Sequence, residues 1–334
     1  MKRILILHTG GTITMQLHES KKDGESGESS FNLNYFDEQV PGLQEIAHVE
    51  SQTLFLEDSA NMTPSMWVQL AQAIAKRYDE FDGFVVLHGT DTMAWTASAL
   101  SFCFRNLTKP VVFTGSQVPL SNRRTDARRN LINSVELATL YMPEVCICFN
   151  DRVYRGNRAT KLSIGDFDAF ATPNYPTLAE FGVRLSITEQ YRPASGTFWA
   201  GPGFNPSLRL ITMYPGMNSR DVVPKNSDSA RALVIEAYGS GNLPSGKNHT
   251  FIQDIDRYIS AGGIVVITSQ SIYDDVDLDK YEGGRRVRDI GALGAGDMTT
   301  EACVTKMMYL LDHYHDIHVI REQFRENLAG ERTH

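Results

Sequence analysis

Long apolar runs are missing from this sequence. No stretch approaches the roughly 18–20 residues that a membrane-spanning helix needs. The run Ile4-Leu5-Ile6-Leu7, after Lys2 and Arg3, is far shorter than the about 7–15 residues of a secretory signal core. It reads instead as a first strand, and a soluble, cytoplasmic protein is expected. Cysteine is scarce: four in 334 residues, with no C-x-x-C pair. Cys146 and Cys148 lie two apart in Val145–Phe149, on one side of a buried strand. Disulfide scaffolds and zinc sites are therefore excluded in favour of four free buried thiols, and no metal is expected. An excess of positive charge is also lacking. Lys plus Arg number 32 and Asp plus Glu 40, a net charge of −8. Such a chain has no overall field that draws in phosphate backbones or anionic lipid, so neither nucleic acid nor membrane is an expected partner.

What remains is ordinary globular composition, 42% hydrophobic and 22% charged, which excludes collagen, a coiled coil or wholesale disorder. The length predicts two domains at about 150 residues each. Strand candidates are Ile4–His8, Thr53–Leu56, Phe84–His88, Val111–Thr114, Val145–Phe149, Leu208–Met213, Ala232–Ala237 and Ile264–Thr268. They are apolar without alternation, as parallel strands covered on both faces should be. Helices with start signals lie between them: Thr63-Pro64 before Ser65–Tyr78, Asp91 or Thr92 before a run to Asn106, and Ser121 or Asn122 before one to Tyr141. Further runs end at Ser260 and cover Glu301–Leu311 behind Thr299 or Thr300. The alternation predicts a right-handed parallel α/β architecture. The stretch 190–207, holding Pro193, Gly196, Gly201, Pro202, Gly203 and Pro206, has linker composition and divides a domain at 1–189 from one at 208–334. The polar piece Glu19–Ser30 follows the first strand and turn, at the sheet edge where ligands bind, and reads as a lid.

Two strand ends carry matching motifs. The first strand runs into His8-Thr9-Gly10-Gly11-Thr12 and the third into His88-Gly89-Thr90-Asp91-Thr92. Glycine lets the backbone turn tightly and approach a ligand, and a Thr follows on the same edge. The Gly-Gly turn matches neither the dinucleotide fingerprint nor the lysine-bearing phosphate loop, so nucleotide binding is disfavoured. Asp91 or Thr92 alone would read as a helix cap; paired with the first motif, the constellation points to chemistry. Lys161, in a polar segment after Val145–Phe149, is a solvated lysine unless the chain folds back on Asp91. Held partly desolvated beside a carboxylate and a hydroxyl, it would serve as a base or proton shuttle. Arg123, Arg124, Arg128 and Arg129 around Asp126 read as a helix-borne ion-pair network or a subunit interface. His313, His315 and His318 lack the i, i+4 spacing of helical metal ligands and read as a solvated helix end.

The set Thr9-Gly10-Gly11-Thr12-Ile13, His88-Gly89-Thr90-Asp91-Thr92 and Thr160-Lys161 resembles the bacterial-type L-asparaginases. Gly115-Ser116-Gln117-Val118-Pro119 and Asp166-Phe167-Asp168-Ala169-Phe170 add to a likeness that spans nearly the whole chain and is nearest the cytoplasmic (type I) branch. The resemblance implies a larger N-terminal parallel-sheet α/β domain and a smaller C-terminal α/β domain, the asparaginase/glutaminase fold. It implies hydrolysis of asparagine to aspartate and ammonia without a cofactor. Thr12 would be the nucleophile of an acyl-enzyme route, while Thr90, Lys161 and Asp91 relay its proton or position the water. The β-branch of threonine would pre-aim the hydroxyl. Backbone N–H groups of Thr90 and of the Gly11–Thr12 turn are the expected oxyanion donors. Asp58 and Ser59, in Glu57-Asp58-Ser59-Ala60-Asn61, match the loop that binds the substrate carboxylate, and Asp91 matches the acceptor for its ammonium. Asn242 matches a residue contributed by a neighbouring subunit, Asp275 a further acidic contact, and a homodimer or homotetramer with shared sites is implied.

The sequence departs from that pattern in two places. Leu17–Ser30 lacks the tyrosine that the family lid carries, the nearest being Tyr35, and the lid tyrosine stays unassigned. Glu236 and Ser271 stand where some type I members have an effector-binding Arg and Cys. Other expectations compatible with the motifs are a glutaminase, an amidase subunit acting on aminoacyl-tRNA, which normally has an extra N-terminal domain, and a non-catalytic amino-acid-binding module. The intact Thr12, Thr90, Asp91 and Lys161 argue against the last, since binding alone does not require them.

Overall fold

The structure, a computed structural model, describes residues 1–14, 39–188, 190–226, 230–246 and 250–333. The lid expected at Glu19–Ser30 and the nearby Tyr35 lie outside them. The chain divides into two units, Met1–Pro202 and Gly203–His334.

In the first unit the apolar opening forms β1 (Arg3–Gly10), buried from Ile4 onward. It pairs in parallel with β2 (His48–Glu57) on one side and β3 (Gly83–Leu87) on the other. β4 (Phe104–Arg105) makes a small ribbon with β12 (Trp199–Ala200). β5 (Val111–Thr114) and β6 (Val145–Phe149) continue the parallel sheet from β3. β7 (Arg152–Arg155), β10 (Ala179–Phe181) and β11 (Leu185–Ile187) complete it, and β8 (Thr160–Lys161) pairs with β9 (Phe170–Ala171) apart from it. Among the described residues the sheet has the order β11-β10-β7-β6-β5-β3-β1-β2.

The parallel architecture holds from β2 to β6 and fails beyond β6, where β7, β10 and β11 are antiparallel. The cause is local. Asn150 and Asp151 both have positive φ, 47° and 65°. Two such residues in succession make the tight turn that matches strand twist, so the chain returns at once as a hairpin and no crossover helix forms.

Among the described residues three helices of more than two turns serve this unit. α1 (Pro64–Lys76) starts on Pro64 and buries Trp67, Leu70, Ala71 and Ile74. α2 (Met93–Cys103) is buried almost all round. α3 (Ala127–Ala138) is shorter than the periodicity predicts, because residues 121–126 form turns in which Asn122 Oδ1 accepts from Arg124 N at 3.2 Å and Thr125 Oγ1 donates to Val118 O at 2.9 Å. One core face packs Ile4, Ile6, Val85, Leu87 and Val112 with Leu131, Val135, Cys146 and Cys148. The four cysteines are buried and unbridged.

The second unit is built on β13 (Leu208–Thr212), β14 (Ala232–Ala237), β15 (Ile264–Ser269) and β16 (Leu293–Gly294), in that order and all parallel. Its longer helices among the described residues are α4 (Phe251–Ser260), α5 (Glu282–Asp289), α6 (Thr300–His313) and α7 (Ile317–Arg325). Thr299 caps α6 by accepting from Ala302 N at 3.1 Å. Lys306 on α6 is fully buried against Glu331, also fully buried. Its ammonium donates to Phe324 O at 2.8 Å and to Glu326 O, while Glu331 accepts from Leu328 N and Ala329 N.

Candidate active site

The order of the parallel strands places the site. From β1 the chain moves outward to β2; from β3 it moves the other way, to β5 and β6. The carboxyl ends of β1 and β3 therefore face a crevice that no crossover covers, the usual ligand position in open α/β sheets. β2, β1, β3 and β5 run parallel, so the residues after each emerge on one edge.

Glycine brings these loops into contact. A Cβ on Gly11 would stand 2.5 Å from Cα and N of Gly89, and one on Gly89 would stand 2.6 Å from Cβ and Oγ of Ser59. Only hydrogen at both positions allows the first, third and second strand ends to stack this closely. Thr12 opens a short 3-10 turn (Thr12–Thr14) directly after Gly11. Asp58 caps the turn Ser59–Asn61, accepting from Ala60 N at 2.9 Å. Thr92 Oγ1 donates to Ser59 O at 2.7 Å, joining that turn to the start of α2.

The result is a cavity of about 790 Å³ lined by Gly11, Thr12, Asp58, Ser59, Thr90, Asp91 and Lys161, with Leu56, Glu57, Gly89, Gln117 and Ile164. Lys161, from β8, reaches back across the sheet edge. Its Nζ lies 2.5 Å from Asp91 Oδ1 and 2.9 Å from Thr90 Oγ1. The Lys161 side chain is 14% exposed and that of Asp91 64%, so the lysine is enclosed while the carboxylate also faces the opening.

Two buried histidines sit beneath this edge. Burial pushes His88 down to about 4, against the donation to Gly89 O that favours its charged form, and pushes His8 down to about 3. Both are neutral near pH 7. His88 Nδ1 donates to Gly89 O at 2.7 Å. In a trans peptide the C=O and the following N–H point opposite ways, so this bond also fixes the direction of the Thr90 N–H.

Asp126 does not sit in the ion-pair network expected of the local arginines. Almost fully buried, its carboxylate accepts from Gln117 N at 3.0 Å, Val118 N at 3.1 Å and Asn130 Nδ2 at 3.1 Å. Two consecutive backbone donors suit a carboxylate better than an exposed guanidinium would. Arg129 pairs instead with Asp151 at 3.0 Å, and Arg128 donates to Gln39 O.

Asn242 and Asp275 belong to the second unit and are not among the residues lining this cavity. Asn242 closes a turn with Tyr238 through two backbone bonds. Asp275 lines another cavity, of about 430 Å³, with Ser240, Ser271, Asp277 and Lys280. The Glu236 carboxylate accepts from the hydroxyls of Thr212 and Thr300.

Leu56, Glu57, Gln117 and Ile164 line the first cavity without having been singled out for it by the sequence. Gln117 had a readable signal: it follows the strand Val111–Thr114 on the same edge as the two Gly-Thr motifs. Ile164 had none, because its approach depends on the non-local β8–β9 pairing.

The family described as Asparaginase, N-terminal matches residues 3–192, and that described as Glutaminase/Asparaginase C-terminal domain matches residues 208–324. The chain is 39% identical over 336 residues to L-asparaginase 1 of Escherichia coli (strain K12), covering 99% of this chain and 98% of that one. The solved structure of the thermostable L-asparaginase from Thermococcus kodakarensis superposes with a TM-score of 0.88 at 33% identity, over 99% of each chain. That of L-asparaginase I from Vibrio cholerae gives 0.86 at 34% identity, again over 99% of each.

Proposed function

The chain belongs to the asparaginase family, and on that premise we propose that its first-unit cavity hydrolyses L-asparagine to L-aspartate and ammonia with Thr12 as nucleophile. The hydrolytic activity follows from the family and from full-length likeness to L-asparaginases. The residue roles rest on one observation: Thr12, Thr90, Asp91 and Lys161 line a single cavity, with the lysine amine joined to both Thr90 and Asp91.

Thr12 Oγ1 attacks the amide carbon, and its proton leaves with the amine as ammonia. Charge gathers on the carbonyl oxygen, where the N–H groups of Thr90 and of the Gly11–Thr12 turn receive it; one such donor is typically worth about a hundredfold in rate. The ester on Thr12 is cleaved by water. One water proton passes to Thr90 Oγ1 as Thr90 passes its own to the unprotonated Lys161 amine, the bond to Thr12 breaks as Thr12 Oγ1 takes the other water proton, and Asp91 holds the amine in reach of Thr90. The Asp91 carboxylate, exposed toward the opening, also accepts from the substrate ammonium. Ser59, the loop that Asp58 caps, and Gly11 receive the substrate carboxylate. The Asp58 carboxylate serves this as a cap on the turn, since a bare anion beside the substrate anion would repel it.

The second unit's Asn242 and Asp275 are proposed to complete the site of another copy of the chain, in a homodimer or homotetramer. Among the described residues no helix is long and apolar enough to cross a membrane. A cytoplasmic setting is proposed from the likeness of the sequence motifs to the type I branch. Ammonia release from L-asparagine, L-glutamine and their D-isomers tests the reading, together with Thr12→Ala and Lys161→Met. Each variant is expected to fold normally and to lose at least a hundredfold in kcat, about 2.7 kcal/mol. Retention of more than a tenth of the wild-type rate removes that residue from its role.

A further inference from the structure

Glu57 and Gln117 are polar members of the cavity to which the mechanism above gives no task, and of the two Gln117 touches the relay at Thr90. Its backbone is held from below: besides the Asp126 bonds to Gln117 N and Val118 N, Asn130 Nδ2 donates to Gly115 O at 3.0 Å. Its carboxamide is held at both ends. Nε2 donates to Ser163 O at 3.3 Å and Asp166 O at 3.1 Å, and Oε1 lies 3.3 Å from Thr90 Oγ1.

Only an NH₂ can meet two carbonyl oxygens, so the amide is not free to flip and Oε1 must face Thr90. A carbonyl oxygen accepts only, which fixes the Thr90 hydroxyl as the donor. Thr90 has a single proton. When Lys161 donates to Thr90 Oγ1, that proton needs an acceptor elsewhere, and Gln117 Oε1 supplies it. When Thr90 hands its proton to the amine, the O–H points at Lys161 instead. The two neighbours therefore select between two orientations of one rotor.

We propose that Gln117 is a positioning residue for the proton relay, stabilising the state in which Lys161 has taken the proton. A water O–H bond breaks as its oxygen bonds the ester carbon. That proton goes to Thr90 Oγ1 while the original Thr90 proton goes to the lone pair of the Lys161 amine. The ester C–O bond then breaks, Thr12 Oγ1 leaves with the remaining water proton, and the Lys161 ammonium later gives its extra proton to solvent. The newly protonated Thr90 hydroxyl then turns to Gln117 Oε1. Without that acceptor the enclosed hydroxyl is left unpaired as the transfer completes. The inference rests on the relay role of Thr90 and Lys161.

The test compares Gln117→Met, which keeps length but has no acceptor of comparable strength, with Gln117→Glu. A protonated Glu reproduces the amide pattern, donating to one carbonyl and accepting from Thr90. An ionised Glu has no donor and sets a carboxylate against two carbonyl oxygens. Gln117→Met is expected to lower kcat at least tenfold, with KM within threefold and an unchanged melting temperature. The rate of Gln117→Glu relative to wild type is expected to rise as pH falls through the new carboxyl's titration. Gln117→Met with kcat within threefold overturns the proposal, as does a change confined to KM. So does a Gln117→Glu ratio that stays flat or falls on acidification, and this decides the matter if Gln117→Met does not fold. Full activity of Lys161→Met would instead remove the relay itself. An inactive Lys161→Met beside an unimpaired Gln117→Met would remove the Gln117 role alone.

Discussion

Replacing Gly11 by alanine tests whether catalysis depends on the close stacking of strand ends. The new Cβ would lie 2.5 Å from Gly89 N and Cα, whereas ordinary contact begins near 3.4 Å, so the two backbones must part by about 1 Å (3.4 − 2.5 = 0.9). Neither is a side-chain tip that can swing away. Thr12 and Thr90 directly follow the two glycines and would be carried apart. A displacement of about 1 Å in a reacting constellation costs on the order of a hundredfold, or about 2.7 kcal/mol of transition-state stabilisation. Gly11 also has φ of +87°, which adds about 1–2 kcal/mol of backbone strain for any L side chain. Gly42 separates the two effects. It has φ of +90°, yet its Cβ would meet nothing nearer than the Glu45 carboxyl at 3.9 Å. Gly42→Ala should share the strain and spare the site. The assay is kcat/KM for ammonia release beside urea unfolding of both variants. Gly11→Ala is expected to fall about a hundredfold while Gly42→Ala stays within twofold. Gly11→Ala within fivefold of wild type, with native-like unfolding, would refute the stacking argument.

Acid stability follows from the buried histidines. Their native values of about 4 (His88) and about 3 (His8) lie below the ordinary 6.5, so between pH 6.5 and 4 the unfolded chain binds protons that the native state does not. Stability is therefore full above 6.5 and is lost as pH falls, by about 1.4 kcal/mol per pH unit for each histidine. Urea titrations at pH 7 and 5 should show the decline, and His88→Gln should remove about half of it; a flat profile in the wild type would contradict the assignment. Glu331→Gln should destabilise the second unit by about 3–5 kcal/mol, because it leaves the buried Lys306 ammonium without its partner. Adding Lys306→Met to that variant should recover most of the loss, and a single-variant loss under about 1 kcal/mol would argue against it.

The parallel half of the first sheet was legible because buried strands leave unbroken apolar runs such as Phe84–Leu87 and Val111–Thr114. The edge at β7, β10 and β11 was not. Those strands are short, β7 carries Arg152 and Arg155 at its two ends, β10 and β11 are half exposed, and the local sign was the Asn150-Asp151 pair. At the cavity, Thr12, Thr90 and Asp91 could be read together because each follows a strand end directly. Lys161 could be placed there only through resemblance, since nothing local says that β8 folds back toward Asp91. Asp126 shows the opposite error: its arginine neighbours in sequence suggested ion pairing, whereas its partners are backbone N–H groups eight and nine positions earlier and the Asn130 carboxamide. The Lys306–Glu331 pair was invisible, because a charged side chain carries no mark of burial until its partner is known.

Because the cavity walls grow from the ends of several separate strands, the framework and the rim are different inheritances. The sheet fixes where each segment departs, and the segment beyond is at liberty to lengthen, shorten or change chemistry on its own. An altered preference among small amides would therefore be sought first around Leu56 and Ile164, which touch the cavity without joining the hydrogen-bonded chain from Asp91 to Gln117. Selection for a new substrate has room there to act while leaving the proton machinery intact.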